Sequence, residues 1–228
     1  MRILHVWNQS GVASILAKYQ RKLGHTVEVV KRDGFDPYGI EQFYGTTIYR
    51  GGALGFYRYI LKKARSYDVI HIHSLWKIAP LIRKPTVLHF HGSELRSMNP
   101  LALAMIKRLS AKLLVSTPDL LNLLPNAEWL PNPVDTELFR PRNPPKAKLK
   151  PPVPYRDMPS YLLQQDVYRE TTHPWCVPKT ALEALALNIP VEWNGLTIQP
   201  PLPSIHDPMC VARRTIRIYE MILDERHG

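Results

Sequence analysis

Four histidines form two closely spaced pairs, His71 with His73 and His89 with His91. Each pair lies on a predicted strand, where residues two apart share one face. His91 is followed by Gly92-Ser93-Glu94, so it should lie at a strand end with a loop behind it. An imidazole there can hydrogen-bond a hydroxyl group or take part in proton transfer. We interpret His71 and His89 as structural and predict His91 as the catalytic residue.

A metal site is the alternative interpretation of the same histidines. Zinc sites commonly combine histidine with cysteine or use two histidines one helical turn apart. The sequence contains neither a cysteine ligand pattern nor a His-x-x-x-His helix. We therefore predict a site without a metal or any other cofactor.

Two segments have the composition of anion-binding sites. The first is Asn8-Gln9-Ser10-Gly11, a turn between the first predicted strand and a helix. Ligands collect at the carboxyl ends of parallel strands, glycine lets a ligand approach the backbone, and a helix N-terminus favours an anion. A tight strand-to-helix turn without a ligand is the alternative explanation.

The second segment runs from Pro178 to Val191 and predicts a loop, a helix, a turn and a strand. Lys179 and the backbone amides around Thr180 could bind phosphate at the helix N-terminus. Glu183 could accept hydrogen bonds from the vicinal hydroxyls of a ribose. Alternatively, Glu183 only complements the helix dipole.

Apolar periodicity predicts the elements that must position these residues. The predicted strands are 3–7, 26–30, 69–73, 86–91, 113–116, 128–130 and 191–193. The predicted helices are 15–23, 53–64, 101–109, 158–165, 180–187 and 209–225. Strands alternating with helices at this spacing indicate an α/β fold with a Rossmann-like, doubly wound parallel sheet.

Proline changes the character of the chain after its first half. The sequence has 22 prolines, many of them between Pro131 and Pro159, and such a stretch cannot form a helix or a central strand. We predict a first domain over 1–140, a proline-rich linker over 141–154, and a partial second lobe over 155–228. The last helix should pack back on the first domain.

Charge and cysteine content limit the environment and the partners. The net charge of +11 favours an anionic partner: nucleic acid, acidic lipid or a phosphorylated small molecule. No nucleic-acid-binding module is visible, so nucleic acid is not expected. Two cysteines in no paired spacing and no apolar run of about 20 residues predict a cytoplasmic protein. The helix 53–64, rich in tyrosine and lysine, could contact an anionic membrane surface, or its tyrosines could belong to the core.

Five segments, in this order, make the chain resemble the retaining, group 1 (family 4) glycosyltransferases with the GT-B fold. They are Ser10-Gly11-Val12, Asp68 to His73, His91-Gly92, Pro131 to Pro141, and Glu183 to Val191. The resemblance implies two facing Rossmann-like domains with a cleft between them. Here the second, donor-side domain is abbreviated.

The sequence departs from the family pattern in the donor half. Prolines of residues 143–154 replace the segment that carries an arginine and a lysine for the donor diphosphate. The family has a second glutamate before the one matched by Glu183, but that position holds Trp175, and Glu170 is out of register. Pro133 and Asn188 stand where glycine is usual.

The resemblance implies metal-independent transfer of a sugar from a nucleotide-diphosphate sugar to an unknown acceptor, with retention. A lipid-linked acceptor would agree with membrane contact by the helix 53–64, and a carbohydrate is the other candidate acceptor. His91 would contact the sugar, Gly11 and Lys179 the diphosphate, and Glu183 the ribose. The remaining implied contacts are Thr180 with phosphate, and Ser10 and Asn132 with acceptor or sugar. The alternatives are a non-catalytic sugar-binding or regulatory relative, or a chain whose donor site a partner subunit or a homo-oligomer completes.

Overall fold

The computed structural model of the chain describes residues 1–34, 36–145 and 148–225. Over these residues, seven strands form one sheet in the order β3-β2-β1-β4-β5-β6-β7, and every neighbouring pair is parallel. The strands are β1 (Arg2–Val6), β2 (Thr26–Arg32), β3 (Thr47–Tyr49), β4 (Val69–His73), β5 (Thr86–Phe90), β6 (Lys112–Val115) and β7 (Glu128–Trp129). The predicted Rossmann-like, doubly wound α/β fold is confirmed.

Helices cover both faces of this sheet. The helices of the described chain are α1 (Val12–Lys22), α2 (Ile40–Tyr44), α3 (Ala53–Ala64), α4 (Ser93–Arg96), α5 (Pro100–Lys107), α6 (Met158–Leu162), α7 (Lys179–Ala186) and α8 (Pro208–Asp224), of which α6 and α7 belong to the core of the second lobe. Apolar residues of α3 and α5 pack on one face of the sheet, and those of α1 and α8 pack on the other. The strand side chains alternate between these two cores, as the period of two requires.

A smaller sheet belongs to the second lobe. Its strands are β8 (Tyr168–Glu170), β9 (Val191–Trp193) and β10 (Leu196–Ile198), in the order β10-β9-β8. The pair β8 and β9 is parallel, with α7 between them in the chain, and β9 and β10 form an antiparallel hairpin. The hairpin turn is Asn194-Gly195, with φ of 50° and 77°, the left-handed conformation that this dipeptide readily adopts.

The short elements α2, α4, β3, β8 and β10 are not predicted from the sequence, because their three to five residues have neither a continuous apolar run nor a clear periodicity. Residues 141–145 and 148–154 contain neither helix nor strand. The predicted boundaries 1–140, 141–154 and 155–228 remain a prediction, and residues 146–147 and 226–228 lie outside the described part. Within the described part, no helix has both the length and the apolar character needed to cross a bilayer.

A buried carboxylate joins the crossover segment to the first domain. Asp135 is completely buried, and its oxygens accept hydrogen bonds from Lys18 Nζ at 2.8 Å, Tyr19 Oη at 3.0 Å and Tyr44 Oη at 2.9 Å. Burial and the negative charge of Asp135 raise the pKa of both tyrosines. A buried carboxylate with three side-chain donors and a backbone donor, Glu137 N, is strongly held in place, so Asp135 fixes where the chain enters the second lobe.

One face of the sheet carries a row of histidines. His5 on β1 lies beside His71 on β4, and His73 lies beside His89 on β5. These four side chains are completely buried. Burial lowers the pKa of His5 to about 4 and holds those of His71, His73 and His89 well below the usual value. The imidazoles are therefore neutral in the folded protein at pH 7.

The Asp135 cluster predicts a large effect of one substitution. Asp135→Asn removes the charge that holds Lys18 and places an amide donor against three donors, so we expect a loss of about 2–3 kcal/mol of unfolding free energy. Urea denaturation measures it. The control is Glu137→Gln, since Glu137 also pairs with Lys18 but its side chain is 52% exposed, which should limit the effect to about 0.5 kcal/mol. Equal effects of the two substitutions would contradict the assignment of Asp135.

The buried histidines predict a dependence of stability on pH. Their folded pKa values lie below the value of about 6.5 expected in the unfolded chain. Their contribution is therefore complete above pH 6.5 and is lost as the pH falls toward 4, by up to about 1.4 kcal/mol per histidine and pH unit.

Urea denaturation between pH 6.5 and 5 measures the protons taken up on unfolding. His25, His91 and His206, whose pKa values are also lowered by burial, account for at most three of these protons. We expect more than three, and an uptake of three or fewer would show that the histidine row is not neutral in the folded state.

Candidate functional site

The backbone is strained where β1 and β4 end. Trp7 and Ser74 follow these strands with φ of 74° and 64°, and Ser10 in the next turn has φ of 51°. Non-glycine residues in this region cost of order 1–3 kcal/mol and concentrate at functional sites. The strand order also reverses between β1 and β4, and ligands of doubly wound sheets bind at such a point. Both observations place the candidate site at the carboxyl edge of the sheet.

The second lobe reaches this edge at Gly11. Gly11 has φ of 77°, and a Cβ added there would lie 3.0 Å from Ile40 Cγ2 and 3.9 Å from Lys179 Nζ. The predicted turn residue Gly11 and the predicted cation Lys179, far apart in sequence, are therefore neighbours. Lys179, the first residue of α7, thus lies beside Gly11, the residue before α1.

Lys179 and Glu183 form a closed cluster with Tyr155. Lys179 Nζ donates to Glu183 Oε1 at 2.5 Å and to Tyr155 Oη at 2.9 Å, and Tyr155 Oη donates to the same carboxylate oxygen at 3.0 Å. Glu183 is only 3% exposed. Burial and the nearby carboxylate of Glu183 raise the pKa of Tyr155 well above its usual value. The side chain is buried, and both of these hydrogen bonds end on its Oε1 atom.

A second contact between the lobes lies at the end of β5. The Arg96 guanidinium carbon is 5.3 Å from the centre of the Trp175 ring, and Arg96 Nη1 is 2.7 Å from the position of a Cβ on Gly92. Arg96 also pairs with Asp119 at 2.8 Å. The segment 175–179 therefore touches the carboxyl edge twice, at Arg96 and at Gly11, and these two contacts mark the candidate site.

The sequence analysis assigns no role to Arg96 or Trp175 at this contact. The available signal for Arg96 is its position one helical turn after Gly92, because such a side chain can fold back over the start of its own helix. Trp175 is recognised only as a departure from the family pattern. Nothing in the sequence indicates that the two side chains meet.

Glu170 shapes the loop that carries Trp175. Its Oε1 accepts hydrogen bonds from Thr172 N at 2.6 Å, Thr172 Oγ1 at 2.5 Å and His173 N at 3.1 Å. Burial raises the pKa of Glu170, but the hydrogen bonds from Thr172 and His173 outweigh it and the pKa is lowered. This carboxylate therefore holds the loop and does not point into the cleft as a free base.

His91 lies half-buried at the end of β5 with both ring nitrogens engaged. Nε2 is 2.9 Å from His73 Nδ1, and Nδ1 is 2.7 Å from Ser116 Oγ. Burial lowers the pKa of His91 to about 4, so the ring is neutral at pH 7. A direct contact between a sugar and a ring nitrogen of His91 would require one of these hydrogen bonds to break.

The other predicted site residues surround the same edge. Ser10 is exposed beside Gly11. Thr180 lies in the first turn of α7, where Pro178 at the cap has no polar side chain to occupy the amides. Asn132 accepts a hydrogen bond from His206 Nδ1 through its carbonyl at 2.8 Å, and among the described residues its buried side-chain oxygen has no partner. The structure thus groups Gly11, Lys179 and Glu183 most closely.

Two histidine triples could in principle hold a metal ion. The ligand atoms of His5, His71 and His73 lie within 4.8 Å of one another, as do those of His73, His89 and His91. Neutral imidazole is the form that binds metals. The first triple is fully buried, whereas the second includes the half-buried His91.

Comparisons with known proteins agree with this architecture. The model of Glycosyltransferase Family 4 matches residues 11–138. The crystal structure of HepE from Anabaena in complex with UDP and glucose has a TM-score of 0.59 and 12% sequence identity, and the match covers 100% of this chain and 99% of that chain. The structure of HepE with UDP alone gives a TM-score of 0.58 and 10% identity, over 100% and 98% of the two chains.

At these identities the two HepE structures establish a shared fold. A comparison with curated protein sequences gave no match. The family model spans more than half of the 228 residues, from the Gly11 turn through the buried Asp135. The chain therefore belongs to Glycosyltransferase Family 4.

Proposed function

We propose that this protein transfers a sugar from a nucleotide-diphosphate sugar to an acceptor, with retention of the anomeric configuration. One observation carries the proposal: Lys179, at the amino end of α7, lies against the Gly11 turn at the carboxyl edge of the large sheet. Lys179 and the uncapped first amides of α7 then lie near the start of α1. A diphosphate is the ligand whose charge and size suit that arrangement.

The amino end of α7 would bind the diphosphate. Helix amides of the first turn, including that of Thr180, have no side-chain cap at Pro178, and the helix dipole favours an anion there. Lys179 would turn from Glu183 toward the phosphates. As the sugar leaves, negative charge builds on the diphosphate, and a fixed cation and amides stabilise that charge more than the ground state.

Glu183 would bind the ribose once Lys179 has moved. Its carboxylate sits one helical turn after Lys179 and shares that residue as a hydrogen-bond partner with Tyr155. A ribose hydroxyl in place of Lys179 would keep the buried carboxylate hydrogen-bonded, with Tyr155 Oη as its other donor. Gly11 leaves room for the backbone to approach the donor. HepE was solved with UDP, so UDP is the first nucleotide to test.

A binding protein without turnover is the second candidate. Trp175 occupies the position of a family carboxylate, and Glu170 is committed to the loop. Arg96, the cation at the second lobe contact, is paired with Asp119 and adds little net positive charge. A partner subunit or a second copy that supplies a further cation is the third arrangement consistent with these contacts.

The acceptor is proposed to be lipid-linked or carbohydrate. On α3, Phe56, Ile60 and Ala64 are buried in the core, and Tyr59 packs on Tyr49 with ring centres 5.1 Å apart. The basic side chains on the exposed side of α3 are therefore the ones available to contact an anionic membrane surface.

Nucleotide binding tests the proposed donor site. We expect UDP or GDP to raise the melting temperature of the wild-type protein, because a ligand that binds only the folded state stabilises it. Lys179→Ala and Glu183→Gln should each abolish most of that rise. The matched control is Lys112→Ala, since Lys112 also pairs with a glutamate, at 3.2 Å, but begins β6 at the opposite edge of the sheet; it should keep the full rise.

The outcomes separate the candidates. No response to any nucleotide diphosphate would refute the donor site. Binding with sugar transfer supports the enzyme, and NMR of the product then determines whether the anomeric configuration is retained. Binding without transfer from any nucleotide sugar favours the non-catalytic relative.

Membrane contact has a separate test. We expect the protein to co-sediment with vesicles containing anionic lipid at low salt and to be released at high salt, since exposed charges are screened. The triple substitution of Arg58, Lys62 and Arg65 by serine should reduce the bound fraction several-fold. Equal binding to neutral vesicles, or none to anionic ones, would contradict the proposal.

A further inference from the structure

A continuous chain of hydrogen bonds runs under the sheet from α8 to His91. Tyr219 Oη lies 3.4 Å from Gln20 Nε2, and Gln20 Oε1 lies 2.8 Å from His5 Nε2. His5 Nδ1 is 3.0 Å from His73 Nε2, and His73 Nδ1 is 2.9 Å from His91 Nε2. Every link except His91 is buried, so water does not compete for these bonds.

The chain of hydrogen bonds continues to a further histidine at each of its two ends. His91 Nδ1 continues to Ser116 Oγ at 2.7 Å, and Ser116 Oγ lies 3.1 Å from His89 Nε2. At the other end, Tyr219 Oη lies 2.5 Å from His71 Nδ1. The outer nitrogens, His71 Nε2 and His89 Nδ1, are buried without a partner among the described residues.

Because the imidazoles are neutral, all hydrogen bonds in this row must point the same way. A neutral imidazole has one N–H donor and one acceptor nitrogen, so a ring that donates to one neighbour must accept from the other. Gln20 presents its oxygen to His5 and its amide nitrogen to Tyr219. His5 then donates through Nε2, His73 donates to His5, and His91 donates to His73 through Nε2.

A metal ion fits this geometry less well than hydrogen bonds do. Nitrogen ligands about 2.0–2.1 Å from a tetrahedral zinc ion are about 3.3 Å apart. Here the nitrogen pairs are 3.0 and 2.9 Å apart, the spacing of a direct N–H···N bond. An ion would also have to break two of these bonds.

We propose that Gln20 and Tyr219 are positioning residues that fix the tautomer of His91 in its Nε2–H form. The orientation of the Gln20 amide, held by Tyr219 on α8, is passed through His5 and His73 to the end of β5. The C-terminal helix thereby determines which nitrogen of His91 carries the proton, although it does not contact His91 itself. The effect on catalysis rests on the proposed function, whereas the tautomer does not.

The experiment is NMR of the full chain labelled with ¹⁵N in histidine, which distinguishes the two tautomers of each ring. In the wild type we expect His91, His73 and His5 in the Nε2–H form. Gln20→Met removes the acceptor of His5, and Tyr219→Phe removes the partner that orients the amide. Each should let both tautomers of His91 become populated.

The substitution Gln20→Glu distinguishes the proposed positioning role of Gln20 from a purely structural role. A carboxylate accepts at both ends, so His5, His73 and His91 should keep the Nε2–H form. Tyr219 would then donate to Glu at position 20 and accept from His71, whose proton should move from Nε2 to Nδ1. The control is Tyr19→Phe, which removes a neighbouring buried hydroxyl that binds Asp135 and should change no histidine.

Two experimental results would each overturn the proposal. An unchanged His91 tautomer in both Gln20→Met and Tyr219→Phe, in folded protein, overturns the proposal. Stoichiometric Co²⁺ binding with a tetrahedral absorption spectrum that depends on His73 would also overturn it, in favour of a metal site. If the protein transfers sugar and His91 is the catalytic residue predicted from the sequence, kcat should fall in proportion to the lost Nε2–H population while KM is unchanged. If it does not, the tautomer result stands alone.

Discussion

The buried carboxylate of Asp135 is the interaction on which the arrangement of the two lobes depends. It binds Lys18 and Tyr19 of α1 and Tyr44 next to α1 in space. The Tyr44 ring in turn lies 5.9 Å from that of Tyr155, which holds Lys179 and Glu183. The position of the candidate donor residues therefore follows from one desolvated charge whose donors come from the first domain, because such a charge tolerates no displacement of its partners.

Much of the fold and part of the site could be predicted from the sequence. The strands of the large sheet have continuous apolar runs or strict alternation, and the Gly11 turn and α7 have the composition of helix N-termini that bind anions. Their proximity could not be predicted, since it depends on the short helix α2 and on the Asp135 cluster. Neither Ile40 nor Tyr44 carries a periodic signal, yet Ile40 packs beside Gly11 and Tyr44 binds Asp135.

The histidines illustrate a different limit. Their alternation shows that His71 with His73, and His89 with His91, share a face, but not that His5 and Gln20 join them. Hydrogen bonds between side chains on strands β1, β4 and β5 depend on sheet order and register, which one sequence does not reveal. In the structure, both ring nitrogens of His91 are hydrogen-bonded. We infer that the C-terminal helix determines which of them carries the proton.

The central claim is that one diphosphate-binding cleft lies between Gly11 and the amino end of α7. A crystal structure of the protein with UDP tests it most directly. The account predicts the diphosphate within hydrogen-bonding distance of Lys179 Nζ and the Thr180 amide, and the ribose hydroxyls on Glu183. UDP bound elsewhere, with Lys179, Tyr155 and Glu183 still joined to one another, would contradict it.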